Sequence, residues 1–417
     1  MKSYVKFKRW HRLVFCTVII AAVICFSSFT CNSSAKGGNN NNMTAHFDYY
    51  VSGKAPSAPQ PFNDKTAAEF VAGIRIGWSL GNTFDARDMT WLGSNPSVSD
   101  MEKGWVRLVT TKENIDDLKN AGFNAIRIPV SWMKAADKDY IIRQDWMDRI
   151  TEVVNYAAAN DMYIIIDTHH DEWDVFKFSN AGKAEGLKAY KTMWEQIAWN
   201  FRNYNDKLVF EGLNEPRTRG SPSEWTGGTT SERSIINEYY QVFVDTVRSS
   251  GGNNGKRILM INTYGAYAGL AAMNELKIPN DSVKDKIIVS IHAYVPYNFA
   301  LAGQSNPSAV DTWSKDNSSD TQAVRAPLDL AYNIFVSKGI PVIMGEFGAV
   351  DRDNEEARAE WAEYYVSYAK SKGIPCFWWD NNLYQRSGDA EMFGIYDRGE
   401  DFFPFPEIIA ALMRASR

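Results

Sequence analysis

The sequence predicts an α/β fold of the (β/α)8 TIM-barrel type, built as a single domain. Three observations predict it. Eight short runs rich in apolar and β-branched residues recur along the chain, and most lead into a segment with apolar residues at helical spacing. The runs are apolar throughout, which is typical of parallel strands buried on both faces. The 417 residues are enough for eight such units.

The strand candidates are, in order, Ile74–Leu80, Ala125–Val130, Tyr163–His169, Leu208–Asn214, Arg257–Thr263, Ile287–Tyr294, Pro341–Phe347 and Cys376–Asn381. The main helices are predicted at Lys112–Asn120, Asp145–Asn160, Gly186–Arg202, Ser231–Ser249, Thr321–Ser337 and Glu355–Lys372. The last two patterns are each followed by a glycine, which is typical of a helix C-terminus. A doubly wound sheet is the alternative, but residues 77–82 lack the glycine-rich phosphate turn that it would need.

The composition excludes several classes of protein. With 45% apolar and 23% charged residues the chain is neither disordered nor fibrous. Four cysteines in 417 residues are too few for a disulfide scaffold, and Cys376 opens an apolar run in which we expect it to be buried and unpaired. The net charge of −5, without a basic stripe in the body of the chain, indicates no nucleic-acid partner. An acidic surface is compatible with a neutral partner such as a polysaccharide.

Residues 1–31 read as a signal peptide. Five basic residues without an acid precede the apolar run Leu13–Phe26, whose 14 residues are too few to span a membrane. Residues 27–31 resemble a bacterial lipoprotein signal in which Cys31 is acylated; an ordinary secretory peptide cleaved nearby is the alternative. We expect an exported protein, either secreted or held at the cell surface or outer membrane as a lipoprotein, and we expect a monomer.

The remaining chain divides into two predicted parts. Residues 32–65 are rich in Gly, Asn, Ser and Pro, and this composition predicts a flexible linker. Residues 66–417 contain all the strand and helix candidates and form the predicted barrel domain.

Polar residues stand at the end of six predicted strands. The strand ends carry Arg127, Asp167 to Asp171, Asn214-Glu215, His292 and Tyr294, Glu346, and Trp379. A buried strand does not tolerate a lone charge without partners. Because the strand ends of a barrel meet at one face, these side chains are expected to converge in one basin.

The groups in that basin suggest acid–base chemistry. Glu215 and Glu346, on different strands, can divide the roles of acid and nucleophile if their surroundings separate their pKa values. Arg127 would keep Glu346 ionised, and His292 and Tyr294 would orient the pair. Asn214 is suited to bind a sugar hydroxyl and Trp379 to stack on a sugar ring. The loop residues Trp91, Trp173, Trp225 and Trp313 would extend the platform or pack within their loops.

At this point the sequence resembles glycoside hydrolase family 5. The resemblance rests on two motifs, Asn214-Glu215-Pro216 after one strand and Gly345-Glu346-Phe347-Gly348 about 130 residues later. It extends to Arg127, His169, His292, Tyr294 and Trp379. Residues 77–85, which include Asn82, and Thr168-His169-His170 resemble the branch of endo-β-1,4-glucanases that includes xyloglucanases and mixed-linkage glucanases.

The resemblance implies a retaining endo-β-1,4-glucanase that needs neither cofactor nor metal. Glu215 would be the general acid/base and Glu346 the nucleophile, with their carboxyl groups about 5–5.5 Å apart. The resemblance implies that Arg127, His169, His170, Asn214, His292, Tyr294, Trp379 and Asn82 contact or orient the substrate. The substrate would be a β-glucan polysaccharide of the cellulose, mixed-linkage or xyloglucan type.

Three alternatives stay open. Mannanases and xylanases use the same scaffold, and loop residues decide between these substrates. A metal-dependent hydrolase would use Asp167, His169, His170, Asp171 and His292, which are metal-ligand types, but would leave both glutamates idle. A non-catalytic glycan-binding lipoprotein would keep the barrel and its aromatic residues, but has no need of both glutamates.

Overall fold

The computed structural model describes residues 47–173, 175–385 and 391–417. Eight parallel strands pair in sequence order and close into a barrel, so the predicted fold class is confirmed and the doubly wound alternative is wrong. The strands are β1 Gly77–Leu80, β2 Ala125–Ile128, β3 Tyr163–Asp167, β4 Leu208–Glu211, β5 Leu259–Tyr267, β6 Ile287–His292, β7 Val342–Phe347 and β8 Cys376–Asp380. Each overlaps its predicted run.

Eleven α-helices accompany the strands in the part of the chain described. They are α1 Ala67–Gly73, α2 Val98–Glu102, α3 Lys112–Ala121, α4 Gln144–Ala159, α5 Lys183–Phe201, α6 Thr230–Ser249, α7 Leu270–Asn274, α8 Tyr297–Ala300, α9 Ser318–Ile334, α10 Glu355–Ser371 and α11 Pro406–Ser416. The six predicted helices correspond to α3, α4, α5, α6, α9 and α10. Glycine follows α3 in a left-handed conformation at Gly122, where φ is 113°, as expected for a helix end.

An apolar layer, which we call the apolar floor, closes the barrel at the N-terminal ends of its strands. Helix α1 begins after Thr66, whose side chain and backbone exchange hydrogen bonds with Glu69 in a capping box. The helix buries Phe70 completely. The floor consists of Ala67, Phe70, Val71, Ile74, Ala125, Ile165, Val209, Ile258, Met260, Ile288, Ile343 and Phe377. Polar groups of the barrel interior are therefore confined to its opposite end.

Residues 47–65 do not form the linker that their composition predicts. The backbone N–H of Ser52 donates to the side chain of Asn200 on α5 at 2.8 Å. The amide of Asn203 donates to the carbonyl oxygen of Pro56 at 2.8 Å. Because these bonds join the segment to the barrel, the predicted boundary at residue 66 is wrong, and the packed domain includes residues 47–65. The predicted signal peptide and residues 32–46 lie outside the described residues.

The second apolar layer lies between the strands and the surrounding helices. Trp78, Trp146, Trp194, Trp361 and Trp378 are all fully buried there. Cys376 is buried and unpaired, as predicted. Within the described ranges, no helix has both the length and the apolar character that a membrane span requires.

Candidate active site

The polar strand-end residues meet at the C-terminal end of the barrel. Arg127, His292, Glu346 and Trp379 belong to strands β2, β6, β7 and β8, and Asn214 and Glu215 follow β4. The register pairs His292 with Glu346 on neighbouring strands. The parallel barrel therefore brings together residues that are up to 252 positions apart, as the sequence predicts.

Arg127 is the centre of the buried part of the site. Its Nε donates to Oε2 of Glu211 at 2.6 Å, and its Nη1 donates to Oε1 of Glu346 at 2.8 Å. Its Nη2 donates to Oδ2 of Asp167 at 2.8 Å and to the amide oxygen of Asn214 at 2.7 Å. One guanidinium therefore fixes three carboxylates and the amide that precedes Glu215.

This hub is excluded from water. Arg127, Asp167 and Glu211 have no exposed surface, and charges in such a place are tolerated only when paired and hydrogen-bonded. Burial raises the pKa of Asp167 to about 6 despite the opposing charge of Arg127, and it raises the pKa of Glu211 as well. Burial alone would lower the pKa of Arg127, but the three carboxylates raise it well above its ordinary value.

Glu346 is held on both of its oxygens. Arg127 bonds Oε1, and the phenol of Tyr294 donates to Oε2 at 2.8 Å. Burial raises the pKa of Glu346, and the neighbouring His292 ring, the charge of Arg127 and the bond from Tyr294 oppose that rise. Two donors at fixed positions favour the ionised carboxylate that a nucleophile needs.

Glu215 has different neighbours. Nδ1 of His292 lies 2.9 Å from its Oε1, and Nη1 of Arg217 lies 3.3 Å from its Oε2. Burial raises its pKa, opposed chiefly by Arg217. Burial also lowers the pKa of His292 to about 4, so this ring is neutral at neutral pH. The two glutamates thus meet the first requirement for separate roles, which is a different set of partners.

The two carboxyl groups are close. One carboxylate oxygen of Glu215, one ring nitrogen of His292 and one carboxylate oxygen of Glu346 all lie within 4.8 Å of one another. This close approach of two carboxylate oxygens is consistent with the carboxyl separation of about 5–5.5 Å that is typical of retaining enzymes.

Trp379 faces this basin and Trp378 does not. The indole of Trp379 stacks on the ring of His169 with centroids 5.4 Å apart and planes 2° from parallel. Gly81 makes room for it, because a Cβ there would lie 2.8 Å from the indole. Trp378 points outward and donates its Nε1–H to the carbonyl oxygen of Phe393. Strand alternation explains the difference.

His169 and Asn214 are oriented by the hub. Nδ1 of His169 lies 2.8 Å from the Asp167 carboxylate, and its Nε2 lies 3.4 Å from the Asn214 amide nitrogen. The amide oxygen of Asn214 accepts a hydrogen bond from Arg127. The NH2 group of Asn214 is therefore the part of the side chain that can donate to a ligand. Burial lowers the pKa of His169 well below its ordinary value, which keeps the ring neutral.

His170 and Asn82 lie at the edge of this constellation. The His170 ring packs 4.0 Å from that of Trp173 and 4.3 Å from that of His169. Asn82 has a left-handed backbone with φ 57°, and its N–H donates to Asp85 at 3.1 Å. No hydrogen bond recorded for the described residues joins either side chain to the two glutamates.

The four loop tryptophans differ in exposure. Trp91 and Trp225 are 64% and 56% exposed, and Trp225 carries the guanidinium of Arg217 on one face at 4.3 Å. Trp173 is half-buried, and Trp313 is only 4% exposed. Trp313 therefore packs within its loop and does not extend the platform.

The residues considered as metal ligands are already used inside the protein. The Asp171 carboxylate accepts from the backbone N–H groups of Trp132 and Met133 and pairs with Arg87. Asp167 is bonded to Arg127. One atom each of Asp85, His169 and His170 lie within 4.8 Å of one another, but Asp85 accepts from two backbone N–H groups at the end of β1.

Sequence reasoning missed three acidic or basic side chains of the site. Glu211 could have been found, because a charged residue within an otherwise apolar strand indicates a buried partner. Arg217 follows Pro216 directly but carries no motif of its own. Glu172 is 3% exposed beside Arg217, and only the folded chain brings these two residues together.

Comparisons with known proteins agree with this geometry. The family model for cellulases of glycosyl hydrolase family 5 matches residues 85–385. Endoglucanase A of Clostridium longisporum is 40% identical over 96% of this chain and 71% of its own length. A GH5-4 broad-specificity endoglucanase from Ruminococcus champanellensis with bound cellotriose is 43% identical, with a TM-score of 0.80 over 85% of this chain and 100% of that one. A lichenase from Caldicellulosiruptor is 41% identical, with a TM-score of 0.81 over 88% and 100%.

Proposed function

Because this chain belongs to glycosyl hydrolase family 5 and is an endo-β-1,4-glucanase, we propose that Glu346 is its nucleophile and Glu215 its acid/base. The observation that carries this assignment is the difference between their partners. Arg127 and Tyr294 each donate to Glu346 at 2.8 Å, whereas Glu215 faces the neutral His292. The first carboxyl is built to stay ionised and the second to exchange a proton.

The reaction proceeds in two displacements, as is general in this family. An oxygen of Glu346 bonds to the anomeric carbon as the glycosidic C–O bond breaks, and Glu215 gives its proton to the leaving oxygen. In the second displacement a water oxygen bonds to the anomeric carbon as the bond to Glu346 breaks. Glu215 takes the proton from that water, which restores both carboxyl groups to their starting states.

The neighbouring residues are proposed to bind the sugar at the cleaved bond. Trp379 offers an indole face fixed by its stack on His169, and such faces suit the C–H groups of a sugar ring. The NH2 group of Asn214 is a donor for a sugar hydroxyl. We assign His170 and Asn82 to the outer part of the substrate site, on the side of Trp379 and His169.

We propose that the enzyme accepts more than one β-1,4-glucan, namely cellulose-type, mixed-linkage and xyloglucan backbones. The relatives described as a broad-specificity endoglucanase and as a lichenase support this breadth. The test is reducing-sugar release by the domain starting at residue 47 on these three glucans, glucomannan, mannan and xylan, with and without chelator. We expect chelator-insensitive cleavage of the glucans. Activity confined to mannan or xylan would contradict the proposal, and loss of activity with chelator would favour the metal-dependent alternative.

We propose that the protein is exported and acylated at Cys31. The basic residues before Leu13–Phe26 and the small residues before Cys31 support this. In a bacterial host with labelled palmitate, the full chain is expected to carry label and to fractionate with membranes, and Cys31→Ser to lose both. An unlabelled, soluble and processed wild type would indicate an ordinary secretory peptide. Light scattering of the released domain tests the expected monomer.

A further inference from the structure

Arg217 is shared among three carboxylates from different parts of the loops. Its Nη1 lies 3.3 Å from Oε2 of Glu215 and 3.5 Å from Oε1 of Glu172, and its Nε donates to Glu224 at 3.1 Å. The Nη1 group also donates to the carbonyl oxygen of Glu215 at 3.0 Å. The face of its guanidinium rests on Trp225, so Arg217 is fixed in place.

Glu172 is the unusual member of this group. Its side chain has no exposed surface, and neither carboxylate oxygen has a hydrogen-bond partner among the described residues. A buried carboxylate without hydrogen bonds is costly. Arg217, at ion-pair distance, is the cation recorded beside it in the described part of the chain. The mechanism described above gives Glu172 no task.

We propose that Glu172 is a positioning residue for the acid/base: it competes with Glu215 for Arg217 and thereby helps Glu215 to keep the proton that it must give to the leaving oxygen. This inference rests on the proposed role of Glu215. Without Glu172, a larger share of the charge of Arg217 would favour the ionised form of Glu215. An ionised Glu172 draws that charge away and also repels a second negative charge nearby.

The other charges around these groups are known and stay in place. Glu215 also interacts with Glu224, Arg127, Glu346, Glu391 and Tyr294, and Glu172 with Asp171 and Tyr240. His169, His170 and His292 face Arg217 and are neutral, since burial lowers the pKa of each. Burial raises the pKa of Glu172 well above its ordinary value. The charge of Arg217 opposes that rise. The competition of Glu172 for Arg217 therefore grows as the pH rises, which is also the direction in which Glu215 loses its proton.

The experiment compares the pH dependence of kcat/KM for the wild type, Glu172→Gln and Glu172→Asp. The alkaline limb of this profile reports the essential acid of the free enzyme. For cello-oligosaccharides, Glu172→Gln is expected to move that limb down by about one pH unit, which is a loss of about tenfold at alkaline pH. Glu172→Asp, which keeps a charge farther from Arg217, is expected to move it less. The matched control is Glu102→Gln, which removes a buried carboxylate that pairs with Arg149.

A substrate with a dinitrophenyl leaving group adds a second readout, because its departure needs no proton. For dinitrophenyl cellobioside, Glu172→Gln is expected to keep the wild-type profile at high pH. An unchanged limb on oligosaccharides in Glu172→Gln overturns the inference, as does an equal shift in Glu102→Gln. If Glu172→Gln does not fold, an unchanged limb in Glu172→Asp decides against it. If the wild type shows the same alkaline limb of kcat/KM on both substrates, that result would instead contradict the role of Glu215 as acid.

Discussion

Replacing Glu346 by alanine is expected to lower kcat about 10⁴-fold or more, because the covalent intermediate can no longer form. Replacing Glu215 by alanine is expected to cost as much on polysaccharide but far less on dinitrophenyl cellobioside, whose leaving group needs no proton. Both variants should keep the wild-type melting temperature within a few degrees, since each removes a charge from a site crowded with carboxylates. Initial rates on both substrates measure the effects.

Azide distinguishes the two roles by the product it forms. In Glu346→Ala the anion enters from the side of the missing nucleophile and inverts the anomeric carbon, which gives the α-glycosyl azide. In Glu215→Ala it attacks the glycosyl-enzyme from the opposite side, which gives the β-glycosyl azide. The control, Glu152→Ala, removes a carboxylate on the outside of the barrel and should change neither rate nor product. Exchanged products would reverse the assignment, and full activity in either variant would refute it.

Replacing Arg127 by methionine is expected to destabilise the protein by about 3–5 kcal/mol, because three buried carboxylates lose their common cation. Activity should also fall steeply, since Glu346 loses the donor on its Oε1. Thermal unfolding and initial rates measure both effects. Arg414→Met, which breaks an exposed pair with Glu363, is the control and should change stability by about 0.5 kcal/mol or less.

The loss of stability in Arg127→Met is expected to change with pH in a defined direction. Asp167 already has a pKa of about 6 in the folded protein, and removing Arg127 raises it further, as it does for Glu211. Above about pH 4 the folded variant then binds more protons than the unfolded chain, so its stability falls as the pH rises. The difference in melting temperature between Arg127→Met and wild type should be larger at pH 8 than at pH 5. An equal difference at both values would contradict the charge-based explanation.

The strands and most of the site could be predicted because both follow from local patterns. A parallel strand buried on both faces is apolar along its length, and a barrel forces the strand ends together. Glu215, Glu346, Arg127 and Tyr294 lie together at the C-terminal end of the barrel for that reason. The sequence also favoured Trp379 over Trp378, but only the register of β8 shows which indole faces inward.

The features that were missed depend on contacts distant in sequence. Residues 47–65 resemble a linker because their hydrogen-bond partners, such as Asn200 and Asn203, lie 148 and 147 positions further along the chain. Helix α1 has only seven residues, too few for a periodic pattern. The pairing of Glu172 with Arg217 joins two loops, and neither loop has a motif that indicates the other.

The apolar floor has a consequence for the order of events at the nucleophile. Since α1 and the lower strand residues close the barrel from below, water approaches the glycosyl-enzyme from the open end of the barrel, where the leaving sugar also departs. A sugar that stays at the cleaved bond therefore occupies the position that the attacking water must take. At high oligosaccharide concentration such a sugar becomes the acceptor, so the same closed base that keeps Arg127 dry also makes chain transfer compete with cleavage.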